Sequence, residues 1–263
     1  MTLHSFKIQG DDVFESVQMP TATIIGNKAV INSTCWSFED FGANNDVIRK
    51  IEGNSIQLSD ISKIMRGFEI GRNKVFTEGD YEIITGSDVS KWIINKKSFI
   101  KQDTLNEFIK DDFYFDGERV LIRETGSTLT VLYVSEKLYC NRSLYSIKIT
   151  DNKYDVIYIC ALLNSKLFQF YYNAKFKSDT DLFPKIRIAQ VKQLPVKSSK
   201  FQEEVVEMAK QIINQKKKHG DVDVSILQDK IELQIFKTYG LTYEEVLIID
   251  QEFPYNKVIY QEG

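Results

Sequence analysis

The chain has 263 residues, 43% of them hydrophobic, and a formal net charge of -3. That is enough apolar material for one large packed domain or two small ones, and too much for a disordered chain. No run of about 18 apolar residues exists, and the opening MTLHSFKIQGDDVFES lacks the basic-then-apolar pattern of a secretory signal, so a cytoplasmic protein without a membrane span is expected. The cysteines Cys35, Cys140 and Cys160 have no CxxC spacing and the histidines are His4 and His219; neither a disulfide framework nor a metal site is expected.

In chain order, SFKIQ and TATIIGNKAVI read as strands, and Leu58 to Met65 as a short helix. DYEIITGSDVSKWIIN reads as strand, turn and strand, and TLNEFIKDD as a helix opened by a Thr104…Glu107 capping box. RVLIRETGSTLTVLYVS breaks at Gly126-Ser127 and reads as a hairpin, followed by a strand near Leu144 to Ile149. Apolar residues at three- and four-residue steps predict one long helix from Val156 to Tyr172, a basic strand over PKIRIAQVK, then helices near Lys200–Lys217 and Val224–Tyr239. Gly240 is placed to end the last of these, and Thr242…Glu245 to open a short final helix to Asp250. The fold class is α+β: a β-rich region followed by a helical C-terminal segment.

The prolines Pro20, Pro184, Pro195 and Pro254 are isolated, so the Pro-Pro turn that amino-group methyltransferases use to hold their target amine is absent. No glycine-rich nucleotide loop of the GxGxxG or GxxxxGK[ST] kind occurs. Acidic pairs such as Asp111-Asp112 and Asp179…Asp181 are read as solvated turns rather than as catalytic carboxylates. The net charge conceals an asymmetry: Lys153 to Lys200 holds nine cations against three aspartates, whereas Asp221 to the end holds nine acids against three lysines. A local basic face attracts a polyanion regardless of overall pI, because screening limits charge effects to about 10 Å at 0.1 M salt.

RGFEIGRNKVF, YEIITGSDVSKW, RVLIRETGSTLTVLY with NRSLYSIK, LLNSKLFQFYY, IRIAQVKQLPV and TYGLTYEEVLIID occur in that order. Over about Ile61 to Asp250 the chain resembles the TaqI-like C-terminal specificity domains, the target recognition domains of adenine-N6 DNA methyltransferases and restriction-modification enzymes. The resemblance implies double-stranded DNA as ligand and a methyltransferase domain or subunit as partner. It also implies no catalytic residue in this chain, and S-adenosylmethionine only in the linked or partner methyltransferase. It divides the chain into 1–50, similar to the last strands of a methyltransferase domain, 51–197, the recognition domain, and 198–263, the helical segment. A fragment or a detached recognition subunit is then expected. LPVKSSKFQEEVVEMAKQI is also similar to the element ending Type I specificity domains, and a Type I-like specificity subunit or a scaffold that docks a methyltransferase is the alternative.

Candidate DNA contacts fall in three places. After Gly71, Arg72, Asn73 and Lys74 leave a tight loop; Arg pairs bidentately with guanine and Asn with adenine in the major groove. Ser87, Arg123, Thr125, Ser127, Arg142 and Ser143 stand beside strand ends, with hydrogen-bonding suited to phosphates or base edges. Lys175, Lys177, Lys185 and Arg187 line the basic stretch and are read as phosphate contacts. Tyr171, Tyr172, Trp36 and Trp92 are read as packing residues.

Overall fold

A computed structural model describes residues 2–9, 21–27, 44–108, 112–176 and 185–262. The chain divides into two compact units, residues 1–46 and 47–263. In the first, β1 (Thr2–Gln9) pairs antiparallel with β2 (Thr21–Asn27), from Thr2↔Asn27 to Gln9↔Thr21. These are the expected first strands.

Helix α1 (Asn44–Glu52) leads into the second unit, where Val47, Ile48 and Ile51 are buried. There follow β3 (Ile56–Gln57), β4 (Ser62–Arg66), β5 (Tyr81–Ile84), β6 (Val89–Ser90), β7 (Ile93–Ile94), β8 (Ser98–Ile100) and α2 (Gln102–Phe108). Next come β9 (Arg119–Arg123), β10 (Val131–Val134), β11 (Tyr139–Cys140) and β12 (Leu144–Ile149). The rest is helical apart from β13 (Pro195–Val196): α3 (Val156–Asn164), α4 (Lys166–Phe176), α5 (Ile188–Lys192), α6 (Gln202–Lys218), α7 (Ser225–Thr238), α8 (Tyr243–Ile249) and α9 (Lys257–Glu262). The fold is α+β.

A four-stranded antiparallel sheet, in the order β10-β9-β12-β4, is the centre of this unit. Its strands are apolar on both faces because both faces are covered. Val120, Ile122, Val131, Tyr145 and Ile147 join the larger core with α3, α4, α6 and α7. Leu121, Leu132, Val134 and Leu144 join a second core with Ile83, Ile84, Ile100, Phe115 and Tyr139, contributed by the β11-β5-β8 sheet and its surroundings. The buried Arg119 ties the second core's loop: its guanidinium donates to the carbonyls of Gly117 at 2.7 Å, Glu136 at 2.9 Å and Leu138 at 2.7 Å. Residues 198–263 share the larger core with the β-rich region, so the change near residue 197 is one of secondary structure within a single unit.

Four expected elements differ. The segment from Leu58 is a 3₁₀ turn, Leu58–Asp60, followed by β4; Ile64 faces one core and Met65 the other, an apolar pattern that imitates a helix. Helix α2 starts before Thr104, at Gln102, whose N–H donates to the Asp80 carboxylate at 2.8 Å; a cap distant in sequence replaces the expected box. The basic strand is instead one backbone bridge at Lys185 followed by α5. Ile188, Val191 and Leu194 recur at three-residue steps, and the Gln190 side chain accepts from the Arg187 N–H at 2.8 Å to open that turn.

The fourth difference is the long helix, which is broken at Ser165 into α3 and α4. The sequence Asn164-Ser165-Lys166 accounts for the break. Asn164 turns its amide onto the outer edge of β10, accepting from the Val131 N–H at 3.2 Å and donating to the Val131 carbonyl at 2.9 Å, which also accepts from the Trp92 N–H at 3.0 Å. Ser165 has extended backbone, and its Oγ accepts from the Phe168 N–H at 3.2 Å, capping α4. The Lys166 N–H donates to the buried Glu232 of α7 at 2.7 Å, and the Lys166 ammonium pairs with Asp250 at 2.6 Å. Further along, Gly240 has φ +66° and ends α7, and Thr242 and Glu245 form the expected capping box of α8. Tyr171, Tyr172 and Trp92 are packing residues, each buried; Trp36 and Cys35 lie outside the described residues.

Asn164→Leu removes the amide clamp at nearly constant volume and leaves the Val131 N–H buried without a partner. Urea denaturation is expected to show a loss of about 1–3 kcal/mol.

Burial pushes the Glu232 carboxyl up to about 7, against the opposing pull of the Lys166 N–H and the Lys166 and Lys91 ammoniums. Its Oε2 has no partner among the described residues. A raised carboxyl stabilises the fold most when protonated, so its contribution is complete below the ordinary value of 4.5 and is lost as pH rises through about 7. Across that window stability is expected to fall by roughly 3 kcal/mol from this group. Glu232→Gln should flatten that part of the pH profile, measured by denaturation at pH 5 and pH 8.

Candidate functional site

At one end of the four-stranded sheet, β4 and β9 finish and β12 begins, with Arg66 opposite Tyr145 and Arg123 opposite Leu144. Four loops meet there and are cross-linked through their backbones. The Gly67 N–H donates to the Leu144 carbonyl at 2.9 Å, and the Arg142 N–H to the Phe68 carbonyl at 2.9 Å. The Glu124 N–H donates to the Ser143 carbonyl at 2.9 Å, and the Ile186 N–H to the Glu124 carbonyl at 2.7 Å. Thr125 and Lys185 form a backbone bridge. The Ser143 hydroxyl accepts from the Gly86 N–H at 2.7 Å and donates to Asn141 Oδ1 at 2.5 Å, so the turn carrying Ser87 is fastened to the same end.

The side chains presented are mostly cationic. The Arg66 Nη2 donates to both Glu124 carboxylate oxygens at 2.7 Å, while its Nε donates to the Arg142 carbonyl at 2.9 Å. The Glu124 carboxylate raises the Arg66 guanidinium above its ordinary pKa, against partial burial. Arg142 pairs with Glu69, and both side chains are exposed. Arg123 is half-buried, and its Nε has no partner among the described residues. Lys185 and Arg187 are exposed, with no ion-pair partner among the described residues. Ser87 is exposed and bonds to the Thr85 hydroxyl at 2.8 Å. Ser127 is exposed, and its carbonyl accepts from Gln169 of α4 at 3.2 Å.

The TaqI-like C-terminal specificity domain matches residues 62–196, half of the chain. The chain belongs to this family. The match runs from the first residue of β4 to the last of β13, so the sheet end described above lies wholly inside the specificity domain. No curated protein matches the chain. Among solved structures, it is similar to a Type I restriction-modification S subunit from M. genitalium, with 15% identity, a TM-score of 0.45 and coverage of 76% of this chain and 48% of that one. It is also similar to the HsdS subunit from Thermoanaerobacter tengcongensis, with 14% identity, a TM-score of 0.38 and coverage of 70% and 44%. The type IIG restriction endonuclease BpuSI gives 11% identity, a TM-score of 0.46 and coverage of 83% and 34%. The chain thus spans half or less of the length of each.

The specificity domain gathers Ser87, Arg123, Thr125, Ser127, Arg142, Ser143, Lys185 and Arg187 at this end, together with Glu124, and adds Arg66 and Glu69, which sequence reading did not single out. Arg66 and Glu69 stand in the RGFEIG stretch, but their roles depend on the β4–β12 register. Neither neighbouring acid pairs with Arg142: Glu124 is engaged by Arg66, and Asp88 accepts from the Thr85 N–H at 2.8 Å and hydroxyl at 2.7 Å. The loop after Gly71 is committed differently. Lys74 pairs with Glu107 of α2, and Asn73 folds its Oδ1 over Gly71, 2.6 Å from where a Cβ would stand. Asn73 lies in a 3₁₀ turn, Arg72–Lys74, and is not among the positive-φ residues; the Arg72 side chain is not among those described. Lys175 is 3.1 Å from Glu52, which also accepts from the Tyr171 hydroxyl at 2.8 Å. These three line a recess of about 280 Å³ with Gln57, Gln193 and Pro195, apart from the sheet end. Lys177, Asp111, Asp179 and Asp181 lie outside the described residues. Asp112 is held by Lys137 at 2.5 Å and Tyr139 at 2.8 Å.

Gly67 is the tightest point of the site. A Cβ there would lie 2.2 Å from the Asn141 carbonyl oxygen and 2.4 Å from that of Cys140. Both are backbone atoms, so the strand carrying Arg142 would have to move. Gly67→Ala is expected to lower stability by about 3 kcal/mol or more, with an early midpoint in thermal or urea unfolding.

Proposed function

We propose that this chain recognises double-stranded DNA for a restriction-modification enzyme of the adenine-N6 methyltransferase type, and that the end of the four-stranded sheet is its DNA-contacting face. What carries the reading is the convergence of Arg66, Arg123, Arg142, Lys185 and Arg187 from separate stretches of chain onto one backbone-cross-linked end, inside the family's matched region. Lys185 and Arg187, exposed beside the Thr125 bridge, are the residues that meet phosphate; the Arg142 guanidinium and the exposed Ser87 hydroxyl offer hydrogen bonds to phosphates or base edges. Methyl transfer and S-adenosylmethionine binding belong to a methyltransferase domain or subunit, and this chain supplies register and sequence choice.

Duplex binding measured by fluorescence anisotropy across a salt series tests this. The wild-type chain is expected to bind with an affinity that falls linearly in log-log form with salt. The double variant Lys185→Gln/Arg187→Gln should bind more weakly on all sequences, with the slope reduced by about 0.9 for each phosphate that is no longer neutralised. A folded double variant with unchanged affinity and slope would place the DNA elsewhere, and absence of duplex binding by the wild type would overturn the reading itself.

A further inference from the structure

The two arginine–glutamate pairs at the sheet end are built differently. Glu124 is nearly enclosed, with 12% of its side chain exposed, and both of its oxygens are engaged by Arg66. Its backbone is also tied to Ser143 and Ile186. That pair is part of the framework. Glu69 and Arg142 instead expose 73% and 55% of their side chains. The Arg142 backbone is held at both ends, its N–H by the Phe68 carbonyl and its carbonyl by Arg66, so only the guanidinium is free to change partners. Glu69 accepts a hydrogen bond from Arg142 alone among the described residues, and it stands on the loop just after Gly67, whose path the Asn141 and Cys140 carbonyls fix.

We propose that Glu69 is an internal substitute for a DNA phosphate: it holds the Arg142 guanidinium in the free protein and yields it when DNA docks in register. The proposal rests on the sheet end being the DNA face. A carboxylate and a phosphate present equivalent oxygens to the arginine fork, so the exchange conserves the donor's hydrogen bonding. An exposed ion pair is weak, and little is lost in opening it. In the free protein the pair occupies the Arg142 guanidinium, so a duplex must displace Glu69 before it can use Arg142, and the cost of that displacement is the loss of one exposed ion pair. Glu69 is therefore a competitor for Arg142: it lowers duplex affinity by the cost of opening one exposed ion pair and leaves contacts that do not use Arg142 unaffected.

The test is a cycle of Glu69→Gln, Arg142→Gln and the double variant, each titrated with a random-sequence duplex at several salt concentrations. Circular dichroism and a thermal midpoint establish that each variant is folded. Glu69→Gln is expected to bind the random duplex about two- to fivefold more tightly than wild type, and this gain should vanish in the Arg142→Gln background. An equal gain in both backgrounds would mean that Glu69 only repels DNA, and would overturn the exchange. No gain in either, with wild type still binding duplex in a salt-sensitive way, would overturn the role of Glu69 while leaving the DNA-binding face intact. Absence of wild-type binding would overturn both.

Discussion

The burial of one antiparallel sheet on both of its faces governs the rest of this fold. Along β9, Val120 and Ile122 point into the helical core while Leu121 points into the core shared with the smaller sheet. A one-residue slip would exchange the two sets, so the register of β4, β9, β10 and β12 is specified from both sides. Covered faces leave no room for a ligand. Function is pushed to the ends of the strands, where the backbone leaves the sheet and polar side chains reach water. The cross-linked loops around Arg66, Arg142 and Ser143 are the consequence.

The helical layer is attached to that sheet by a small polar junction. An all-apolar α3 would leave the Val131 N–H at the outer edge of β10 without a partner; Asn164 supplies it with an amide that also donates to the Val131 carbonyl, which the Trp92 N–H shares. Ser165 ends one helix and caps the next, and Glu232 of α7 takes the first free N–H of α4. Sheet edge, helix break and C-terminal helices are thus joined through three adjacent residues, Asn164 to Lys166. Buried polar groups of this kind are costly if any member is removed, because the partner is then left without water or protein to bond to.

Charge in this molecule is organised by neighbourhood. A chain of net charge -3 brings Arg66, Arg123, Arg142, Lys185 and Arg187 to one sheet end, where Arg66 and Arg142 are paired with glutamates on adjacent loops. Arginine suits that position, since its several donors serve different partners, as Arg66 does with the Glu124 carboxylate through Nη2 and the Arg142 carbonyl through Nε, and can equally address phosphate or a guanine edge. The lysines and arginines of the 153–200 segment do not act as one surface: Lys166 pairs with Asp250 and Lys175 with Glu52, while Lys185 and Arg187 remain exposed at the sheet end.

Local signals were legible where the physics is local. The hairpin around Gly126, the strand Leu144–Ile149, the glycine end of α7 and the Thr242…Glu245 box were all readable from spacing, because turn chemistry and capping act over a few residues. So were the α+β class and the order of motifs from RGFEIG to QLPV. The break in the long helix was written in Asn164-Ser165, but those residues announce a break only when β10 lies beside them to receive the amide. The basic stretch after Pro184 became a turn because Ile188, Val191 and Leu194 met a core at three-residue steps. The partners of Arg66 and Arg142 lie 58 and 73 residues away in the chain. Which carboxylate each guanidinium meets is decided by strand register and loop cross-linking, long-range constraints that become definite only when the sheet is assembled.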